Sequence, residues 1–214
     1  MLRIAARHWR YRDLAENDLR EALIDVTARL PVYCTYVQAH LGRVPDADAA
    51  VICETVVWAR QRRPELPPES FDFIEDLLLL RLRGETEHEF VMRFQQLTGP
   101  TMAKGAEDTA CYCFNRLIAL NIVGGDPSRF CVTPAFFHDR CVQAQRRWPD
   151  SMLTTSTHDT KRSEDVRMRV CLLSEMPDTW RATVLRWSAM NEKHRRGDWP
   201  DRNIEYFYYF FSLF

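Results

Sequence analysis

Leu14, Leu19, Leu23, Val26 and Leu30 recur at spacings of three to five, with Asp13 ahead as an N-cap and Pro31 behind. The pattern predicts an amphipathic helix. Pro45, Asp46 and Asp48 precede Val51, Ile52, Thr55, Val56 and Ala59, and Pro64 ends the pattern. This second helix has acidic residues at its positive end and an arginine-rich exit at its negative end. Pro67 and Pro68 lead into Phe71, Ile74, Leu77 and Leu78, a third helix. Thr86 and Glu89 read as a capping box opening a fourth, before Phe90 and Phe94.

The pattern changes at Thr98-Gly99-Pro100, a predicted break. A short apolar stretch, Thr101-Met102-Ala103, reads as a strand, and a helix is expected from about Asp108 to Leu120. Thr133-Pro134 starts another helix through Phe137 and Cys141. A second apolar run, 152–155, reads as a strand emptying into Ser156-Thr157-His158-Asp159-Thr160-Lys161-Arg162. Ser163 then caps a helix through Val166, Val170 and Leu173, and Pro177 opens one with Trp180, Val184 and Trp187. Strands alternating with helices after residue 98 are the mark of parallel βα units. The fold class expected is mainly α: a helical subdomain, 1–97, followed by a partial barrel segment, 98–214.

Size limits that barrel. The chain has 214 residues, whereas a closed (β/α)₈ barrel needs roughly 250. Lys and Arg number 29 against 30 Asp and Glu, a formal net charge of -1, which gives no global attraction to nucleic acid or anionic lipid. The basic clusters at 60–63 and 195–196 carry no recognition motif. Seven cysteines form no CxxC pair and no zinc spacing, so reduced, mostly buried thiols are expected and no metal. The N-terminal 12 residues lack an apolar signal region, and the apolar runs 77–80 and 207–211 are far too short to span a bilayer. The expected location is the cytoplasm, away from any membrane.

Side chains at the carboxyl end of a strand in a parallel βα arrangement face the ligand crevice. His158 and Asp159 fall at such an end. A carboxylate there steadies developing positive charge or holds hydroxyls, and an imidazole donates to the same ligand. An Asp at a helix entrance equally serves as a cap. Lys104, Glu107 and Asp108 occupy the corresponding place after the first strand, where a solvated helix start is the alternative. The run 161–169 alternates in sign as an exposed helix face does. Gly124-Gly125-Asp126 has neither phosphate-loop pattern.

Longer strings are more specific. Phe90-Val91-Met92-Arg93-Phe94-Gln95-Gln96-Leu97-Thr98-Gly99-Pro100, Met102-Ala103-Lys104-Gly105-Ala106-Glu107-Asp108-Thr109-Ala110, Asn115-Arg116 and Val123-Gly124-Gly125-Asp126-Pro127 resemble the maltooligosyltrehalose synthase family. So do Ser156-Thr157-His158-Asp159-Thr160-Lys161-Arg162-Ser163-Glu164-Asp165-Val166-Arg167, Phe71-Asp72-Phe73 and Pro200-Asp201-Arg202-Asn203.

The resemblance implies a cytosolic isomerase of the α-amylase type. Such an enzyme converts the reducing-end α-1,4 bond of a maltooligosaccharide into an α,α-1,1 bond, in trehalose biosynthesis, without a cofactor. It implies retaining chemistry, with a nucleophilic carboxylate and an acid about 5–5.5 Å apart. A third carboxylate steadies the sugar. By likeness, Asp159 is that third carboxylate and His158 a hydrogen-bond donor to the sugar, while Lys104, Glu107, Asp108, Lys161 and Arg162 lie in pocket-like segments. No residue here aligns with the nucleophilic Asp or the acid Glu, which lie upstream in the family. The chain is therefore expected to be a C-terminal-half fragment, starting within the family's helical insertion and inactive alone, with residues 206–214 drifting from the family pattern. Its expected partners are a maltooligosaccharide and the missing N-terminal half of the barrel. The alternative is a non-catalytic glucan-binding or interaction module.

Overall fold

The structure, a computed structural model, describes residues 1–212. The last two positions of the expected segment 98–214, and of the run 206–214, lie outside the described residues. The chain forms two compact units, Met1–Gly105 and Ala106 onward.

The first unit contains α1 (Leu2–Ala5), α2 (Glu16–Arg29), α3 (Asp46–Arg62), α4 (Pro68–Leu78) and α5 (Glu85–Met102). The apolar stripes read from the sequence face one another. Leu19, Ala22 and Val26 of α2, Ile52, Val56 and Ala59 of α3, and Phe71, Ile74 and Leu77 of α4 are buried in one cluster with Tyr11 and Phe94. Full burial of each large side chain contributes roughly 1.5–3 kcal/mol. Tyr11 lies 5.2 Å from Phe73, ring to ring, and its hydroxyl donates to Asp76 Oδ2 at 2.5 Å. Burial, reinforced by Asp76, pushes the Tyr11 phenol above its ordinary value.

Two helix starts differ from expectation. Asp13 does not cap α2, which begins after Ala15. Thr86 and Glu89 lie inside α5, which starts after Gly84. A Cβ at Gly84 would meet the Glu87 carboxylate, which would have to swing aside. Glu87, three positions into the helix, folds back over that first turn.

The expected break at Thr98-Gly99-Pro100 does not occur either, because α5 runs through Pro100 to Met102. Proline removes one backbone donor, but Phe94, Gln95 and Thr98 are buried and fix this face of the helix. The Thr101 hydroxyl supports the adjoining turn by donating to the Leu97 carbonyl at 2.9 Å. Tertiary burial overrides the local breaker. Gln95 also completes the extended segment 35–37: its Oε1 accepts from Val37 N–H at 2.7 Å and from Thr35 at 3.1 Å, and its Nε2 donates to the Val37 carbonyl at 3.1 Å.

Consequently the strand expected at 101–103 is absent. Thr101 and Met102 end α5, and Ala103–Ala110 winds as a π-helix that carries the chain across the division between units. The helix expected from Asp108 to Leu120 is likewise broken. It becomes this π-helix, then α6 (Cys111–Cys113), then an isolated 3₁₀ turn at Ile118–Leu120. The Asn121 amide ends α6 by donating to the carbonyls of Cys111 and Phe114, both at 2.6 Å.

The second unit continues with α7 (Pro134–Arg147), α8 (Glu164–Cys171), α9 (Pro177–Asn191) and α10 (Arg202–Phe211). Its core gathers Ile118, Val170, Leu173, Trp180, Tyr209 and Phe210. Trp180 donates through Nε1 to the Tyr206 hydroxyl at 3.0 Å. Thus the aromatic run near the C-terminus is a helix, capped by Asp201, whose Oδ1 accepts from Asn203 and Ile204 N–H at 2.9 and 3.0 Å.

The second expected strand, 152–155, is also absent. Among the described residues there are only two isolated bridges, Gln38–Arg43 and Arg196–Trp199, so this apolar segment has no ladder to join. The fold is mainly helical. Only Cys111 of the seven cysteines is buried; Cys113, Cys131 and Cys141 are exposed, contrary to the sequence expectation, and all are free thiols. No described helix is long and apolar enough to cross a membrane.

Candidate functional site

The polar string 156–162 forms the loop that enters α8. Ser156 Oγ donates to Glu164 Oε2, and the Glu164 N–H donates back to Ser156 Oγ at 3.0 Å. The Ser156 hydroxyl, followed by the backbone at the helix start, holds the Glu164 carboxyl below its usual range. Arg167, one turn further, donates to the Thr155 carbonyl. Within the loop, Thr157 Oγ1 accepts from Asp159 N–H at 3.2 Å, and the Thr160 hydroxyl donates to the Thr157 carbonyl at 2.8 Å. Ser163 occupies the N-cap position of α8 without a side-chain cap bond. The loop is thus braced by side chains rather than by a strand.

This bracing leaves His158 and Asp159 outward. Their side chains are 89% and 72% exposed, with Nε2 and Oδ2 3.4 Å apart. An exposed pair at that separation contributes little to stability, so the Asp159 oxygens face water with capacity to accept hydrogen bonds.

Lys161 points the other way. Its ammonium lies 2.5 Å from Asp108 Oδ1 and 5.9 Å from the Tyr112 ring centroid. The Asp108 hydrogen bond raises the Lys161 pKa above its ordinary value. Glu107 acts on the same neighbourhood: the Cys111 thiol is pushed up by burial first and by Glu107 next. The π-helix therefore has a structural role here. Its wider winding, a form that recurs at functional sites, spans the string that carries Glu107 and Asp108.

Arg162 faces inward. Its guanidinium sits 5.8 Å from the Phe207 ring and 6.0 Å from Phe211, donates to the Ile118 carbonyl at 3.4 Å, and leaves Nε buried without a partner. Burial lowers its pKa. Arg162 thus fastens α10 to the unit's interior. Lys104, exposed on the π-helix, belongs to the first unit, one residue from its end.

Of the seven residues singled out from the sequence, the second unit joins Asp108 with Lys161 and places Glu107 beside them. His158 and Asp159 stand on the same loop as Lys161. The Ser156–Glu164 staple and the Arg162–α10 contact were not anticipated. The first is signalled by a Ser eight residues ahead of a first-turn Glu, and the second by aromatics at i, i+1, i+4 and i+5 after Asp201. A cleft of the second unit, about 400 Å³, is lined by Arg116, Phe130, Trp180, Arg181, Leu185 and Tyr206 among others, and by none of the seven. No metal-binding cluster of His, Cys, Asp and Glu occurs among the described residues.

A Mycobacterium tuberculosis protein named as a maltooligosyl trehalose synthase is 40% identical over 154 residues, 71% of this chain and 19% of that protein. The solved maltooligosyltrehalose synthase from Arthrobacter ramosus superposes with a TM-score of 0.74 at 31% identity, over 99% of this chain and 25% of that one. The Sulfolobus tokodaii hypothetical maltooligosyl trehalose synthase gives 0.65 at 29% identity, over 89% of this chain and 22% of its own. No family model matches. The chain spans about a fifth to a quarter of the length of these relatives. It belongs to the maltooligosyltrehalose synthase family, as a segment of that family's fold.

Proposed function

We infer that the chain is the part of a maltooligosyltrehalose synthase that presents Asp159 and His158 to a maltooligosaccharide. In this reading the second unit belongs to the closing part of the catalytic barrel, without forming barrel strands of its own among the described residues, and the first unit to the helical insertion. The reaction is an intramolecular glucosyl transfer, α-1,4 to α,α-1,1, of the α-amylase type and serving trehalose biosynthesis. The outward carboxylate of Asp159, on a loop braced through Ser156, Glu164 and Arg167, is the observation that carries it.

The placement of each residue supports a role in this reading. Asp159 accepts hydrogen bonds from sugar hydroxyls and steadies charge as the glycosidic bond breaks. His158 donates to the same ring. Asp108 orients Lys161, which with Glu107 gives polar contacts to neighbouring sugar units, and Arg162 fixes the loop from behind. Nucleophile and general acid come from polypeptide that this chain does not match. General acid–base catalysis alone is worth roughly 10²–10⁴-fold, so the 214-residue chain by itself is expected to bind sugar without turning it over.

Titrating maltopentaose into the ¹⁵N-labelled chain tests this. Resonances of 158–161 are expected to shift, the shifts to disappear in Asp159→Ala, and no non-reducing product to form. Shifts confined to the cleft around Trp180 and Arg181 would refute the site. Product from the chain alone would refute the division of labour.

A further inference from the structure

The seam between α2 and α3 carries two matched i, i+4 pairs. Asp25 and Arg29 share one face of α2, and Trp58 and Arg62 share one face of α3. These four side chains, together with Ala28, line one hollow of about 480 Å³, a size within the roughly 300–1,000 Å³ of small-molecule sites. Charge is distributed unevenly around it. Arg63, just beyond α3, gathers Asp25 Oδ2 at 2.5 Å, Glu65 at 2.5 Å and Glu21 at 3.5 Å. Among the described residues, neither Arg29 nor Arg62 has an ion-pair partner, and Arg29 Nε is buried with no hydrogen-bond partner. Both cations suit the negative ends of their helices, but that attraction supplies no acceptor for their N–H groups. Trp58 keeps 42% of its surface exposed.

Each component fits a different part of one ligand. Two guanidinium groups without counter-ions suit a dianion, held through paired N–H bonds. An exposed indole offers a flat apolar surface. Asp25 Oδ1, the oxygen that Arg63 does not hold, accepts a hydroxyl proton. We propose that this hollow binds a sugar phosphate, with the phosphate between Arg29 and Arg62, the C–H face of the pyranose on Trp58 and a ring hydroxyl on Asp25. The ion pair with Arg63 offsets the repulsion between Asp25 and the phosphate. The site lies wholly within the first unit, shares no residue with the loop 156–162, and rests on neither the family assignment nor the binding of a maltooligosaccharide.

Isothermal titration of the full chain with glucose 6-phosphate tests this, with glucose, inorganic phosphate and AMP as comparison ligands. Glucose 6-phosphate is expected to bind about tenfold or more tighter than glucose or inorganic phosphate, because it alone of the three engages the guanidinium groups and the indole together. Arg29→Gln and Arg62→Gln should each weaken it by about tenfold. Trp58→Leu should weaken glucose 6-phosphate and leave inorganic phosphate unchanged. Arg12→Gln, which removes an exposed charge of the same unit that does not line the hollow, should change nothing. Trp58 and Arg62 are exposed, so their variants keep the unfolding midpoint; should Arg29→Gln lower it, the comparison of ligands on the unaltered chain still decides. The proposal is overturned if glucose 6-phosphate binds no tighter than inorganic phosphate, if AMP binds as tightly, if no ligand binds at millimolar concentration, or if Arg12→Gln weakens binding as much as Arg62→Gln.

Discussion

Asn115 and Asn203, 88 residues apart, clasp one another's surroundings: the Asn115 amide donates to the Asn203 carbonyl at 2.9 Å, and the Asn203 amide donates to the Cys113 carbonyl at 2.9 Å. Two strings that resembled the family at distant points of the sequence thus meet, locking the start of α10 to the chain leaving α6. Asn115 is buried while Asn203 is exposed. Asn115→Ala should therefore cost the second unit about 1–3 kcal/mol and Asn203→Ala less. The double variant should fall short of the sum, as urea unfolding would show; strict additivity would mean that the clasp is not a unit.

The ion pair of Lys161 with Asp108 predicts local rather than global change. Lys161→Gln should leave the global unfolding midpoint nearly unchanged, since exposed ion pairs contribute little. Hydrogen exchange of the amides in 157–162 should nevertheless accelerate, because the loop loses its anchor to the π-helix. Unchanged exchange would show that the Ser156–Glu164 staple holds the loop without help.

Glu205 is expected to contribute to the acid sensitivity of the second unit. Its Oε1 accepts from the Tyr209 hydroxyl at 2.5 Å and its Oε2 from Arg202 at 2.6 Å. Burial alone would raise this carboxyl, but the Tyr209 and Arg202 hydrogen bonds outweigh it and hold the group below its ordinary value of 4.5. A lowered folded value means that the contribution is complete above about 4.5 and is lost as the pH falls through the folded pKa. Glu205→Gln should destabilise by about 1–3 kcal/mol at neutral pH and flatten the decline in melting temperature below pH 4.5. A decline of unaltered steepness would place the acid sensitivity elsewhere.

In the first unit, Gln95→Leu removes three hydrogen bonds to the segment 35–37 while keeping the side chain's bulk. The Val37 N–H and carbonyl and the Thr35 hydroxyl lose their partner in a buried place. A loss of about 1–3 kcal/mol is expected, readable as a lower urea midpoint with unchanged slope. A midpoint equal to the wild-type value would mean that water replaces the amide at no cost.

The helices α2, α3, α4 and α9 were legible because their apolar spacing, prolines and acidic first turns coincide with burial on one face. The capping box at Thr86 was misleading because the helix starts two positions earlier, with Glu87 rather than Glu89 over its first turn at Gly84. The aromatic stretch after Tyr206 concealed an amphipathic helix, since nearly every position in it is apolar and the stripe does not stand out. Of the candidate site, His158, Asp159 and Lys161 could be placed on one loop from the string alone. The inward turn of Arg162 could not, because it depends on where Phe207 and Phe211 fold.

The sequence by itself determined the family kinship, the helical character and the polar loop ending at Arg162, since these depend on residue identity and near-neighbour spacing. Tertiary structure alone decided that Pro100 stays inside a helix, that Lys161 meets Asp108 across 53 residues, and that 152–155 remains extended without a sheet. A strand is a relation between segments: the apolar run at 152–155 specifies willingness to pair, and only the polypeptide beside it decides whether pairing happens.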